Sequence, residues 1–327
     1  MITDTAKKIE EYIEKNRQAT AKELAGFLEI SPQALFKQLL KLQTKGTIYK
    51  IGTPPKVFYL RKEKIQTNST PTDKIDKDAE KIIEENYLFI TPSGERKEGL
   101  QGFKFWCNRT KQPIDKTALE YAKCWQKYDA YKKNGVIDGT FKLKSTFPII
   151  YLNKLYYLDF YSIERFGKTK LGQLLLYAKQ SQNVKMIKDL IANIKPTVQL
   201  LIKKFQIDAV LFVPPTVRRE IQFMKELEKH LTLNIEKIPV FKIKTEIAVP
   251  QKTLNKLEDR IENAKNTILI ESISHYKNIL IIDDAVGSGA TINEVAAQIK
   301  NKKLSKGKII GLAITGSFKG FDVISEV

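Results

Sequence analysis

At 327 residues, with 42% hydrophobic and 9% aromatic content, the chain is long enough for two or three domains with real cores, which excludes a disordered polymer. Its formal charge of +19, from 56 Lys and Arg against 37 Asp and Glu, favours nucleic acid, an anionic surface or a small phosphate ligand, although a distributed lysine surplus gives the same sum. Two cysteines, Cys107 and Cys124, and two histidines, His230 and His275, argue against a disulfide scaffold, a four-ligand zinc site and histidine-dependent catalysis. The first residues, MITDTAKKIEEYIEKN, contain no apolar core of signal-peptide type, and no stretch approaches the roughly 18 continuous apolar residues of a membrane span. A cytoplasmic protein without a membrane partner is therefore expected.

Residues 1–66 read as three helices followed by a hairpin. Ile2, Ala6, Ile9 and Ile13 recur at near-helical spacing. Thr20 opens a capping box with Glu23 ahead of Leu24, Phe27 and Leu28. Ser31-Pro32 starts a third helix that turns Leu35, Leu39 and Leu42 inward and ends near Lys45-Gly46. TIYKI and KVFYL, separated by GTPPK, complete the pattern of a winged helix-turn-helix. Residues 67–79, TNSTPTDKIDKDA, have the polar composition of a linker.

Residues 80–147 form a middle module that carries no chemical motif. A hairpin turning at Ser93-Gly94 and an aromatic-rich helix ended by Asn134-Gly135 are expected there. From 148 to 327, β-branched or aromatic runs (KLYYLDFYS, DAVLFVP, IEKIPVFKI, NILIIDD, KIIGLAIT) alternate with amphipathic stretches. That alternation predicts an α/β domain, a parallel sheet flanked by helices on both faces.

The stretch that carries chemistry is NILIIDDAVGSGATINEV, residues 278–295. It reads as a buried strand, two aspartates at its carboxyl end, a loop of small residues, and a helix beginning near Thr291. Ligands of open α/β sheets bind at the carboxyl ends of strands. Gly287, Ser288, Gly289 and Ala290 let a phosphate approach the backbone, where N–H groups at a helix start point at it. Ser288 and Thr291 can add hydroxyl donors. Asp283 and Asp284 repel a phosphate at close range and suit a neutral group with donors, such as a sugar diol. The ligand read from these residues is a phosphorylated sugar.

IIDDAVGSGAT resembles the phosphoribosyl-pyrophosphate (PRPP) motif of type I phosphoribosyltransferases. The resemblance implies that Asp283 and Asp284 hold the ribose hydroxyls and act as the catalytic pair. It also implies that Ala285, Val286, Gly287, Ser288, Gly289, Ala290 and Thr291 cradle the 5-phosphate. DAVLFVPPTVRREIQFMKELEKHL is similar to the strand, pyrophosphate loop and helix of ComF-like members. Pro215, Thr216, Arg218 and Arg219 would then meet pyrophosphate, the two arginines with bidentate geometry in the best case. QKTLNKLEDRIEN resembles the ComF pattern in the mobile loop, with Gln251, Leu254, Arg260 and Asn263 at its positions and Lys252 beside them. Lys168 and Lys170 lie where such proteins carry a lysine before a helix, and Lys242 and Lys244 flank the loop. Arg219-Glu220-Ile221-Gln222 stands in place of the usual Arg-Gly-Phe-Asn, and the N-terminal zinc element of that family is missing. The cofactor implied is Mg²⁺ carried by PRPP, without direct protein ligands.

In the winged-helix reading, Gln33, Lys37, Gln38 and Lys41 face the DNA major groove while Lys50 and Lys56 of the wing meet the backbone. Residues 1–66 hold 13 basic and 7 acidic residues, and residues 148–327 hold 28 and 18, so the excess charge is spread over the chain. Expected partners are PRPP or a related phosphorylated ribose, DNA, and a second copy of the chain. Two functions stay open. One is a phosphoribosyltransferase (a pentosyl glycosyltransferase of nucleotide metabolism) coupled to a DNA-binding domain. The other is a non-catalytic, PRPP-sensing regulator, an architecture that purine repressors share, or a competence-type DNA-processing accessory protein.

Overall fold

A computed structural model describes residues 4–53, 56–61, 75–217, 219–243, 245–247 and 249–317. The chain divides into two compact units, residues 1–72 with 92–95 and residues 73–91 with 96–327. No helix of the described residues is long and apolar enough to cross a membrane.

The first unit contains α1 (Asp4–Asn16), β1 (Gln18–Thr20), α2 (Ala21–Leu28), α3 (Pro32–Thr44), β2 (Ile48–Thr53) and β3 (Lys56–Arg61). Its signals act where the sequence puts them. Thr20 and Glu23 form the reciprocal capping box of α2, and the Ser31 hydroxyl accepts the Ala34 N–H at the start of α3, with Pro32 in the first turn. Such a cap contributes about 1 kcal/mol. Ile9, Ile13, Leu24, Leu35, Leu39 and Leu42 close a core beneath an antiparallel sheet of order β1-β3-β2. The short strand β1 was not foreseen; it exists because Ala19 is buried opposite Tyr59. Ile2, part of the spacing predicted for the first helix, lies outside the described residues, as does most of the predicted linker. The residues at its end, 77–79, are already helical.

The second unit begins with α4 (Lys77–Asn86), β4 (Leu88–Ile90), β5 (Arg96–Glu98), α5 (Gly99–Thr110), α6 (Ile114–Asp129), β6 (Lys132–Lys133), β7 (Val136–Asp138) and α7 (Thr140–Thr146). It continues with β8 (Lys154–Phe160), β9 (Ser162–Ile163), β10 (Gly167–Lys168), α8 (Lys170–Ser181), α9 (Val184–Phe205), β11 (Ala209–Phe212) and α10 (Phe223–Leu231). The last elements are β12 (Glu236–Lys237), β13 (Val240–Lys242), α11 (Leu257–Thr267), β14 (Ile268–Ile270), β15 (Ile279–Val286), α12 (Ala290–Asn301) and β16 (Ile309–Gly316).

Seven strands form the main sheet in the order β12-β11-β15-β16-β8-β7-β6. The five from β12 to β8 are parallel, whereas β7 and β6 are antiparallel, so the sheet is mixed rather than wholly parallel as expected. The cause is local. Asn134 and Gly135 do not end a helix; α6 stops at Asp129, and both residues adopt positive φ in the two-residue turn joining β6 to β7. Asn-Gly is the favoured pair for such a turn, because its twist matches that of the flanking strands. The hairpin docks on β8, with Ile137 opposite Tyr157, and brings residues 80–147 into the same unit as the sheet. Their aromatic cluster, Tyr87, Phe103 and Tyr121, is continuous with the core on one face of the sheet. A second core, built from α8, α9 and α10, covers the other face.

Candidate functional site

Strand β15 is central and fully buried over Ile279–Ile282, which suits its unbroken run of aliphatic residues. It continues past the acidic pair to Val286, because Ala285 and Val286 still pair with Thr315 and Gly316. Only Gly287–Gly289 then remain as loop, and α12 starts at Ala290, one residue before the expected position. Gly289 has φ +88°, and a Cβ there would collide with Leu143 Cδ2 of α7. The glycine is therefore required twice, by backbone conformation and by space. Ser288 is buried, and its hydroxyl accepts the Ala290 N–H, shaping the turn into the helix.

The two aspartates have different surroundings. Asp283 is only 9% exposed, and its carboxylate accepts the N–H of Asp284. Burial first, and the neighbouring Asp284 second, hold its carboxyl well above the usual carboxylate range. Asp284 is paired with Lys179 of α8, Nζ to Oδ2 2.7 Å, with side chains 13% and 21% exposed for Lys179 and Asp284 respectively.

Both aspartates line a cavity of about 190 Å³ with Ala285, Thr291, Lys179, Arg219 and Gln251, floored by Pro214–Val217 from the loop after β11. A wider groove of about 680 Å³ shares Pro214–Val217, Lys242 and Pro250 with it and continues along Phe241, Ile243 and Val249. Lys242 faces both spaces, and burial pushes its ammonium down to about 8. Its partner is neutral, the Asn263 Oδ1 at 3.3 Å.

Of the residues singled out from sequence, Asp283, Asp284, Ala285, Thr291, Pro215, Thr216, Arg219, Lys242 and Gln251 meet at this cavity. Gly287, Ser288 and Gly289 form the adjoining loop between Val286 at the end of β15 and Ala290 at the start of α12, and none of the five lines the cavity. Arg219 donates through Nη1 to the Lys179 carbonyl oxygen at 2.8 Å. Arg260 does not reach the cavity. It is 5% exposed on α11 and donates through Nε to the Leu254 carbonyl at 2.7 Å. Gln251 donates to the Arg260 carbonyl and to Asn263 Oδ1, so the segment expected to be mobile is clasped to α11 by its own polar residues. Lys170 is engaged elsewhere, donating to the Glu85 carbonyl, and His275 is exposed. Arg218, Lys244 and the side chains of Lys252 and Lys56 lie outside the described residues.

Lys179 was missed. Its signal was present: it follows the buried Leu175 by four residues, on the same side of α8, where a lysine needs a polar partner.

On α3, Gln33, Lys37 and Lys41 are exposed, Gln38 is half-buried, and Lys50 is exposed on β2. The same helix also exposes Phe36 and Leu40, at 52% and 65%. One turn apart, they form an apolar strip beside the basic one.

Among the described residues no group of three or more His, Cys, Asp or Glu side chains is placed to hold a metal ion. No family model and no curated protein matches the chain.

Proposed function

We propose that the second unit is a phosphoribosyltransferase-type, ComF-like domain that binds PRPP and transfers or phosphorolyses a ribose 5-phosphate group. In the same reading, the first unit is a winged helix that binds DNA. The observation that carries the proposal is the acidic pair at the carboxyl end of a central parallel strand, one turn before a left-handed glycine and a helix N-terminus. The strand end and the loop after β11 line one cavity with the small-residue turn adjoining it, the position in which α/β sheets hold ligands.

In this reading the carboxylates of Asp283 and Asp284 accept the ribose hydroxyls, and the N–H groups at the start of α12 receive the 5-phosphate. The diphosphate lies toward Pro215, Thr216 and Arg219. Mg²⁺, held by the pyrophosphate and ribose oxygens of PRPP without direct protein ligands, would supply charge neutralisation at the leaving group. The chain contributes positioning and electrostatics, and no nucleophile is required. Pyrophosphate release from Mg-PRPP with a panel of bases and amines tests transfer; a panel that yields none removes the transferase half of the proposal.

The second reading, a PRPP sensor without turnover, draws on Arg219, which lines the cavity but spends one guanidinium nitrogen on the Lys179 carbonyl. It is favoured if duplex DNA is retained in a PRPP-dependent way while pyrophosphate release is absent. Substituting Lys37 and Lys41 together should then weaken DNA binding and flatten its salt dependence; a DNA affinity insensitive to both would leave the apolar strip of α3 as the working surface.

A further inference from the structure

Lys179 occupies a position that neither the acidic pair nor the loop after β11 can ignore. Its ammonium neutralises Asp284 at 2.7 Å, on the carboxylate that a ribose diol would need. Its carbonyl receives Arg219, and three residues on, Gln182 Oε1 accepts the Ile221 N–H at 2.8 Å. The end of α8 and the loop from Pro214 to Gln222 are thus tied together at two points beside the cavity that Lys179 itself lines. A lysine on an inward helix face has a four-carbon stem whose head can change partner without moving its backbone.

We infer that Lys179 is a ligand-binding residue that holds Asp284 in the ligand-free protein and transfers its ammonium to the diphosphate when a sugar diphosphate enters. The inference rests on the reading of the cavity as a PRPP site. An empty acidic pair needs a counter-charge, because two adjacent carboxylates at a partly dry strand end repel each other. A bound diol supplies hydrogen-bond donors to those oxygens, and the diphosphate carries more negative charge than Asp284 alone. The ammonium therefore gains by changing partner, and the exchange frees Asp284 as the ligand arrives. No change in protein backbone is needed.

The exchange separates two ligands. PRPP carries both the 5-phosphate and the diphosphate, whereas ribose 5-phosphate lacks the group that receives Lys179. Isothermal titration of each, with Mg²⁺, into the full-length chain and into Lys179→Met and Lys179→Arg is the test. Lys179→Met should weaken PRPP by about tenfold or more, the usual weight of a charge-assisted hydrogen bond, and leave ribose 5-phosphate within about threefold or tighter. Lys179→Arg keeps the charge and should recover most of the PRPP affinity. Equal weakening of both ligands by Lys179→Met would mean a merely structural lysine and overturn the inference, as would unchanged PRPP affinity. If Lys179→Met does not fold, Lys179→Arg decides alone: retained preference for PRPP over ribose 5-phosphate supports the exchange, and loss of that preference overturns it. A wild-type chain that binds neither ligand removes the PRPP reading itself, a different failure from an altered Lys179.

Discussion

Asp283→Asn should make the ligand-free protein more stable near neutral pH and, on the proposed PRPP reading of the cavity, abolish PRPP binding. The stabilising half follows from burial. Asp283 sits at a dry strand end with Asp284 beside it, and its carboxyl is held well above the usual range although Lys179 and the Asp284 N–H pull the other way. A carboxyl raised in the folded state stabilises fully below its unfolded pKa of about 4, and that contribution is lost as pH rises through the folded value. Asparagine imitates the protonated form, and its side-chain oxygen can still accept the Asp284 N–H. The gain should be near zero at pH 4 and grow as pH rises, to on the order of 1–3 kcal/mol once the wild-type group is ionised. Chemical denaturation of both proteins across pH checks this. A difference that is flat with pH, or one that shrinks as pH rises, contradicts the placement of Asp283 in a dry site. The binding half follows because an amide cannot accept from the ribose diol at both oxygens. A carboxylate kept where burial destabilises the ligand-free fold supports the proposed ligand site.

Gly289→Ala should destabilise the second unit on two counts, backbone strain and a steric collision. At φ +88° an L-residue is strained by roughly 1–2 kcal/mol. The added Cβ also collides with Leu143, which is fully buried and has little room to yield; overpacking of that kind costs about 1–3 kcal/mol more. Thermal unfolding should show the sum, and PRPP and ribose 5-phosphate should weaken together, since in the proposed reading both present the 5-phosphate to this turn. That pattern differs from the one expected at Lys179, which separates the two ligands. In a Leu143→Ala background the collision is gone and only the backbone strain remains, so the cost of Gly289→Ala should fall by about 1 kcal/mol or more. An unchanged cost would mean that α7 does not press on the turn.

Leu143 belongs to residues 80–147, a stretch without a chemical motif, and its contact with the turn at Gly289 was invisible in sequence. Local signals were legible: the capping box at Thr20, the start of α3 at Ser31, the aliphatic run before Asp283, and the small residues after it each act through neighbours a few positions away. Long-range partners were not. Asn134-Gly135 has the same local chemistry at a helix end and in a hairpin, and only the pairing of β7 with β8 decides between them. IEKIPVFKI split into β12 and β13 because Pro239 interrupts it, and β13 left the main sheet to pair with β14. Arg260 matched a pattern that placed it over the ligand, yet the nearest acceptor was the Leu254 carbonyl six residues away. Lys179 lies 105 residues from Asp284, and no reading of spacing joins them.

The charge of +19 has a narrower meaning in this light. Around the cavity the cations are specific: Lys179 on a carboxylate, Arg219 on a carbonyl, Lys242 on an amide. None is spent on an exposed surface pair, where an ion pair contributes little.

The measurement that bears most directly on the central claim is isothermal titration of Mg-PRPP into the full-length chain and into Asp284→Asn, with circular dichroism confirming that both are folded. Saturable binding to the wild type and none to the variant is the predicted result. A folded wild-type chain that takes up no Mg-PRPP, or an Asp284→Asn variant that binds it as tightly, would contradict the assignment of this cavity.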